Sequence, residues 1–193
     1  MENFKDLYTN KIGVLITNLG TPNAPTKKSL RTYLNQFLMD RRVVDINRAL
    51  WVPLLKLIIL NIRPKKSAKL YKKIWTKNGS PLMMYMKKIK TKIEKRFSHS
   101  DVDFHFNIAM RYGDPSFKKA LNDFKNKYIT KILILPLYPQ AGSPTTSSSL
   151  DEVFKELKVW PWVPHLRFTS GYHDNDKYIF SLSESIKKHF NEN

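Results

Sequence analysis

Four short strand-like runs, separated by helical patterns, constrain this chain more than any other feature. Ile12 to Ile16, Phe104 to Met110, Ile132 to Leu137 and Leu166 to Phe168 read as strands. Between them apolar residues recur at helical spacing. Leu30, Tyr33, Leu34, Phe37 and Leu38 mark one helix, Leu82, Tyr85, Ile89, Ile93 and Phe97 a second. Phe117, Ala120, Leu121 and Phe124 mark a third, and Leu150, Val153, Phe154 and Leu157 a fourth. A last helix is predicted over 174–190. Apolar strands joined by helical crossovers pair in parallel and are covered on both faces. The chain is therefore expected to be α/β, a doubly wound parallel sheet with helices on both faces. Ligands of such sheets sit at the carboxyl ends of the strands. Three polar loops fall there: Asn18 to Pro22, Arg111 to Asp114, and Tyr138 to Ser149.

Local punctuation supports the same order. Thr26 is placed to cap the helix that follows it, and Ser80-Pro81 supplies a cap with a proline in the first helical turn. Asp114-Pro115 opens another helix. Arg41 to Pro64 is the least regular stretch. There Leu50, Trp51, Leu54, Leu55, Ile58 and Ile59 predict one apolar face on a short helix, and a second short helix is expected over 67–75.

At 193 residues the chain suits one domain with a real core. It has no cysteine, which excludes disulfides, thiolate metal sites and cysteine-ligated clusters. Met1 to Lys11 carries Glu2 and Asp6 and lacks an apolar core, so no signal peptide is expected there. Leu50 to Ile62 is the longest apolar stretch. Pro53 and Lys56 interrupt it, and it falls short of the roughly 20 residues that span a bilayer. The net charge of +18 suits nucleic acid, anionic lipid or an anionic ligand. The basic residues are scattered, however, as in Lys27-Lys28, Lys65-Lys66, Lys87-Lys88, Lys118-Lys119 and Lys187-Lys188, and a solvated surface is the expected reading. No nucleic-acid motif accompanies them, so no nucleic-acid partner is expected.

Individual candidates are few. The hydroxyl-rich loop from Gly142 to Ser149 precedes a helix and has the donors to hold an anion, but helix capping accounts for it equally. It lacks the Gly-Lys-Ser/Thr ending of a nucleotide-binding loop. Arg111 stands at a strand's carboxyl end, where it either meets a carboxylate or lies on the surface. His99, His105, His165, His173 and His189 show no close ligand spacing. His173, beside a cap at Asp174, reads as a turn residue.

Six ordered segments nevertheless resemble the ferrochelatase family. They are Val14–Pro22 (VLITNLGTP), Phe37–Asp45 (FLMDRRVVD), Tyr71–Trp75 (YKKIW), Gly79–Leu82 (GSPL), Ala109–Gly113 (AMRYG), and Leu135–Gln140 (LPLYPQ) followed by Thr145-Thr146. The resemblance implies a lyase that inserts Fe(II) into protoporphyrin IX or coproporphyrin III, with iron as substrate and no organic cofactor. It implies two similar α/β domains gripping a porphyrin. On this chain it assigns porphyrin contact to Leu19, Arg63, Tyr71, Ser80, Arg111 and Tyr112. It makes 1–174 the N-terminal domain, with a porphyrin-mouth insertion at about 41–78, and 175–193 a helix leading to the second domain. The family's His, in a Ser-x-His-Ser/Gly-x-Pro motif, and its Glu are expected beyond Asn193, so the catalytic and metal sets here are empty and the chain alone is expected to be inactive. Peripheral membrane contact through 50–62 and a bacterial cytoplasmic location are implied as well. Two other readings stand beside this one: a porphyrin- or haem-binding module without catalysis, and a related cobalt or nickel tetrapyrrole chelatase.

Overall fold

The computed structural model describes residues 11–192. The expectation of no targeting segment in the first ten residues lies outside them. Strands β1 (Lys11–Thr21), β2 (Asp103–Gly113), β3 (Lys131–Pro136) and β4 (His165–Phe168) form one sheet in the order β2-β1-β3-β4. Every neighbouring pair is parallel, as expected. The helices are α1 (Lys27–Met39), α2 (Arg48–Pro53), α3 (Leu60–Ile74), α4 (Pro81–Phe97), α5 (Phe117–Asn126), α6 (Ser148–Leu157) and α7 (Asp176–Glu192).

Successive strand residues face opposite sides, which is why the strands are apolar without alternation. On one side Leu15, Ala109, Ile132 and Ile134 pack under Phe117, Leu121 and Phe124 of α5 and Val153 and Leu157 of α6. On the other, Val14, Ile16 and Met110 pack against Met86 of α4. The sheet is thus wound on both faces.

The central strand runs five residues past the expected end at Ile16. Thr17 to Thr21 stays paired with β2, up to Thr21 beside Gly113. Two glycines allow it. Gly20 and Gly113 both have positive φ, and a Cβ at Gly20 would lie 1.8 Å from the carbonyl oxygen of Tyr112. Only glycine lets the strands stay this close at that twist. The extension carries Leu19 and the end of β1 level with Arg111 and Tyr112.

The two short helices expected between Arg41 and Trp75 are one longer run. From Arg48 to Ile74 the chain is one run of helix, with a widened π-helical turn at Leu54–Ile59 between α2 and α3. Its buried residues are Trp51, Leu55, Leu60, Pro64 and Ala68, packed on Leu30, Leu34 and Leu38 of α1. Their spacing is four, five, four and four, and the five falls where the helix widens. The extra residue of the π turn keeps the buried stripe in phase. Leu50, Leu54 and Ile58, expected on the same face as Trp51 and Leu55, instead point outward.

Prolines shape this run. Pro64 sits inside α3 and has no N–H for the carbonyl of Leu60, four residues back. Arg31 of α1 replaces the missing donor: its Nη1 donates to that carbonyl at 2.7 Å and to Asn61 Oδ1 at 2.6 Å.

Two smaller differences concern helix starts. Asn175 caps α7, accepting from the backbone N–H of Lys177 at 3.1 Å, where Asp174 was expected. The hydroxyl-rich loop is helical from Ser143, as a π turn that runs into α6, and no side chain caps either.

Candidate functional site

The carboxyl ends of β1 and β2, the end of α1 and the start of α6 meet at one place. Asp40, which follows the last residue of α1, supplies the acceptor. Its Oδ2 accepts from Arg111 Nη2 at 2.6 Å, from the Tyr112 hydroxyl at 2.8 Å and from Ser148 Oγ at 2.5 Å. Its Oδ1 accepts from the backbone N–H of Arg42 at 2.7 Å. The Asp40 side chain is only 7% exposed. Burial alone would raise its pKa, but the hydrogen bonds from Ser148, Tyr112 and the Arg42 amide, with the charge of Arg111, outweigh it and hold the carboxyl below its ordinary value.

Arg111 is engaged on every edge. Beyond Asp40, its Nε donates to Ser148 Oγ at 2.6 Å and its Nη1 lies 3.2 Å from Glu152 Oε2. The guanidinium also stacks 4.8 Å from the ring centroid of Tyr112. Tyr112 is fully buried, and burial, the first cause, pushes its phenol well above the ordinary tyrosine value. A second pair ties the same two segments at the surface: Arg42 grips Asp151 through Nε at 2.5 Å and Nη2 at 2.9 Å.

Beside this polar knot lies an aromatic wall. Tyr33 stands edge-on to Tyr71 and to Tyr112, with centroids 6.5 and 6.4 Å away. Phe37 stands edge-on to Tyr112 at 5.2 Å, and Tyr71 adjoins Trp75 at 6.4 Å. Leu19 packs on the same cluster. Tyr33 also donates from its hydroxyl to the carbonyl of Gly20 at 3.4 Å, tying α1 to the end of β1. A second tier of hydroxyls is buried beside it: those of Thr17, Thr21 and Thr146 have no hydrogen-bond partner among the described residues, and those of Tyr138 and Ser149 face each other. Burial pushes the Tyr138 phenol up to about 12.

Of the six residues picked out from the sequence, four come together: Leu19, Tyr71 and Tyr112 share the aromatic cluster, and Arg111 stacks on Tyr112. Ser80 is buried at the start of α4, where its Oγ accepts from the Met83 amide at 3.2 Å. Arg63 is exposed on α3. Asp40, Ser148, Glu152, Tyr33 and Tyr138 were not singled out. Asp40 and Tyr138 do lie inside the family-like segments, and Ser148 inside the hydroxyl-rich loop, so their positions carried a signal that the residue types alone did not. Among the described residues no group of three or more His, Asp or Glu is placed to hold a metal ion.

This geometry stands on a chain whose residues 11–193 match the family model for ferrochelatase. The chain belongs to the ferrochelatase family. It is 44% identical over 180 residues to "Ferrochelatase 2" of Shewanella oneidensis, which covers 93% of this chain and 55% of that protein. It is 45% identical to the ferrochelatase of Thioalkalivibrio sulfidiphilus, over 94% of this chain and 49% of that one. With the ferrochelatase of Marinobacter nauticus it shares 42% identity over its whole length and 52% of the relative's. The chain therefore spans about half the length of the curated ferrochelatases it matches. No helix among the described residues is long and apolar enough to cross a membrane.

Proposed function

We propose that this chain forms the porphyrin-holding wall of a ferrochelatase, a protein that inserts Fe(II) into protoporphyrin IX or coproporphyrin III. The observation that carries the reading is the convergence of Leu19, Tyr71, Tyr112 and Arg111 at the carboxyl end of the sheet. A flat apolar macrocycle needs a broad aromatic and aliphatic surface with a few fixed polar groups. Arg63, exposed and without a hydrogen bond or ion pair among the described residues, is the group we assign to a porphyrin carboxylate. Ser80, which caps α4, is assigned to ring contact as well.

Residues 1–174 are read as the chelatase-like domain, with the mouth insertion at about 41–78, and 175–193 as the connection toward the family's second domain. The proton-accepting His and the Glu of the family have no counterpart motif in these 193 residues. Binding without metal insertion is therefore expected of the chain alone, with iron as substrate and no organic cofactor. We further propose peripheral membrane contact through 50–62, where Leu50, Leu54, Leu57, Ile58 and Ile62 are exposed beside Lys56 and Arg63.

Porphyrin titration of the 193-residue chain, followed by absorbance and tryptophan quenching, tests the reading. Saturable binding that weakens in Tyr71→Ala supports it. No binding overturns it, and Zn(II) or Fe(II) insertion by the chain alone overturns the division of labour.

A further inference from the structure

An arginine recognises a carboxylate by offering paired N–H donors from one edge of its planar fork. Arg111 has no unoccupied edge to offer. Nε donates to Ser148, Nη2 donates to Asp40, and Nη1 is ion-paired with Glu152 at 3.2 Å. Two carboxylates face this one guanidinium, and Glu152 also pairs with Lys155 at 2.9 Å, so the Arg111 charge is balanced from within the chain. One of its faces is covered by the Tyr112 ring. The Arg111 side chain is 16% exposed, so a ligand reaches little of it. Arg63, on α3, is the opposite case: exposed, and paired with nothing among the described residues.

We infer that Asp40 is a positioning residue that holds Arg111 against Tyr112 and cancels its charge, so that this wall meets a porphyrin by shape and stacking and leaves carboxylate recognition to Arg63. The inference rests on the porphyrin-wall reading above and adds to it a rule of selectivity. The wall tolerates a neutral ring edge beside Arg111. Removing the Asp40 charge while keeping the side chain's shape leaves uncancelled positive charge behind the wall, which favours a carboxylate on the ring over an ester.

The test compares a dicarboxylate porphyrin with its dimethyl ester, each titrated against the 193-residue chain in the same mild detergent. In Asp40→Asn the acid-over-ester affinity ratio is expected to rise about fivefold over wild type, the size of a solvent-screened attraction between Arg111 and a ring carboxylate. Glu152→Gln is expected to raise it by less, because Nη1 lies further from its carboxylate. Arg63→Ala is expected to lower the ratio. A structural role alone would weaken both ligands alike, so an unchanged ratio in Asp40→Asn with wild-type circular dichroism overturns the inference. Should Asp40→Asn fail to fold, Glu152→Gln decides, and an unchanged ratio there overturns it. If wild type binds neither ligand, the porphyrin-wall reading falls and takes the inference with it.

Discussion

The polar knot around Asp40 and the outer face of the mouth helices are built on opposite plans. At the knot nearly every donor and acceptor has a partner inside the chain, and three segments distant in sequence are joined through one carboxylate. On α2, the π turn and α3, the inner stripe is packed as tightly as any core, yet the outer face leaves Leu50 and Leu57 more than two-thirds exposed. Internal satisfaction fixes shape. An unsatisfied apolar surface advertises a contact still to be made. The difference separates residues that hold the site from residues that address something outside it.

The sharpest way to break the comparison is to remove the knot's acceptor. Asp40→Ala strands four donors, one of them a guanidinium, in a largely buried place. A cost of about 3 kcal/mol is expected, in the range for breaking a buried pair from one side. Urea unfolding reads it as a lower midpoint at unchanged slope. The pH dependence has a definite sign. The Asp40 carboxyl is held below its ordinary value in the folded chain, so its contribution is present above the unfolded-state pKa of about 3.9 and fades as pH falls through the lower folded value. Asp40→Ala should therefore lose most stability near neutrality and converge on wild type in acid. An equal deficit at every pH would mean that packing, not charge, carries the knot.

Why the sheet was legible and the knot was not follows from the reach of each signal. Strands such as Ile132 to Leu137 bury both faces, so their composition is dictated locally and can be read locally. The same holds for the Ser80 cap. The extension of β1 to Thr21 depends on Gly20 meeting the carbonyl of Tyr112, a contact between residues far apart in sequence. The Asp40–Ser148 bond spans a still longer separation, and neither residue type alone announces it. The mouth misled for a different reason. Two short helices were legible there but not their fusion into one run, because the rescue of the Leu60 carbonyl by Arg31 across Pro64 cannot be seen from α3 alone. Family-like segments carried the site residues further than chemistry did, yet gave no hint that Arg111 would find its carboxylates within the chain.

A middle-sized effect probes the joint between the two regions. Arg31→Ala leaves the Leu60 carbonyl without a donor, and about 1 kcal/mol is expected for this partly exposed bond. The cause can be isolated. Pro64→Ala restores an N–H four residues after Leu60, so the helix can make its own bond. In the double-mutant cycle, Arg31→Ala should cost clearly less in the Pro64→Ala background than in wild type. Strict additivity would show that Arg31 acts by some route other than the missing proline donor.

The smallest expected effect on stability bears most directly on what the outer face is for. Leu50 and Leu57 are 72% and 71% exposed, so replacing both with Ser should change stability by less than about 0.5 kcal/mol. Leu55, fully buried between them on the inner stripe, should cost about 2–5 kcal/mol as Leu55→Ala. The same turns of helix thus carry both plans, and the two variants separate them. Sedimentation with anionic vesicles supplies the functional half. The Ser pair should reduce vesicle binding at unchanged stability, because apolar insertion and the charges of Lys56 and Arg63 act together at a lipid surface. If vesicle binding survives the Ser pair but is lost at high salt, the attraction is electrostatic and belongs to the +18 charge of the whole chain rather than to the mouth.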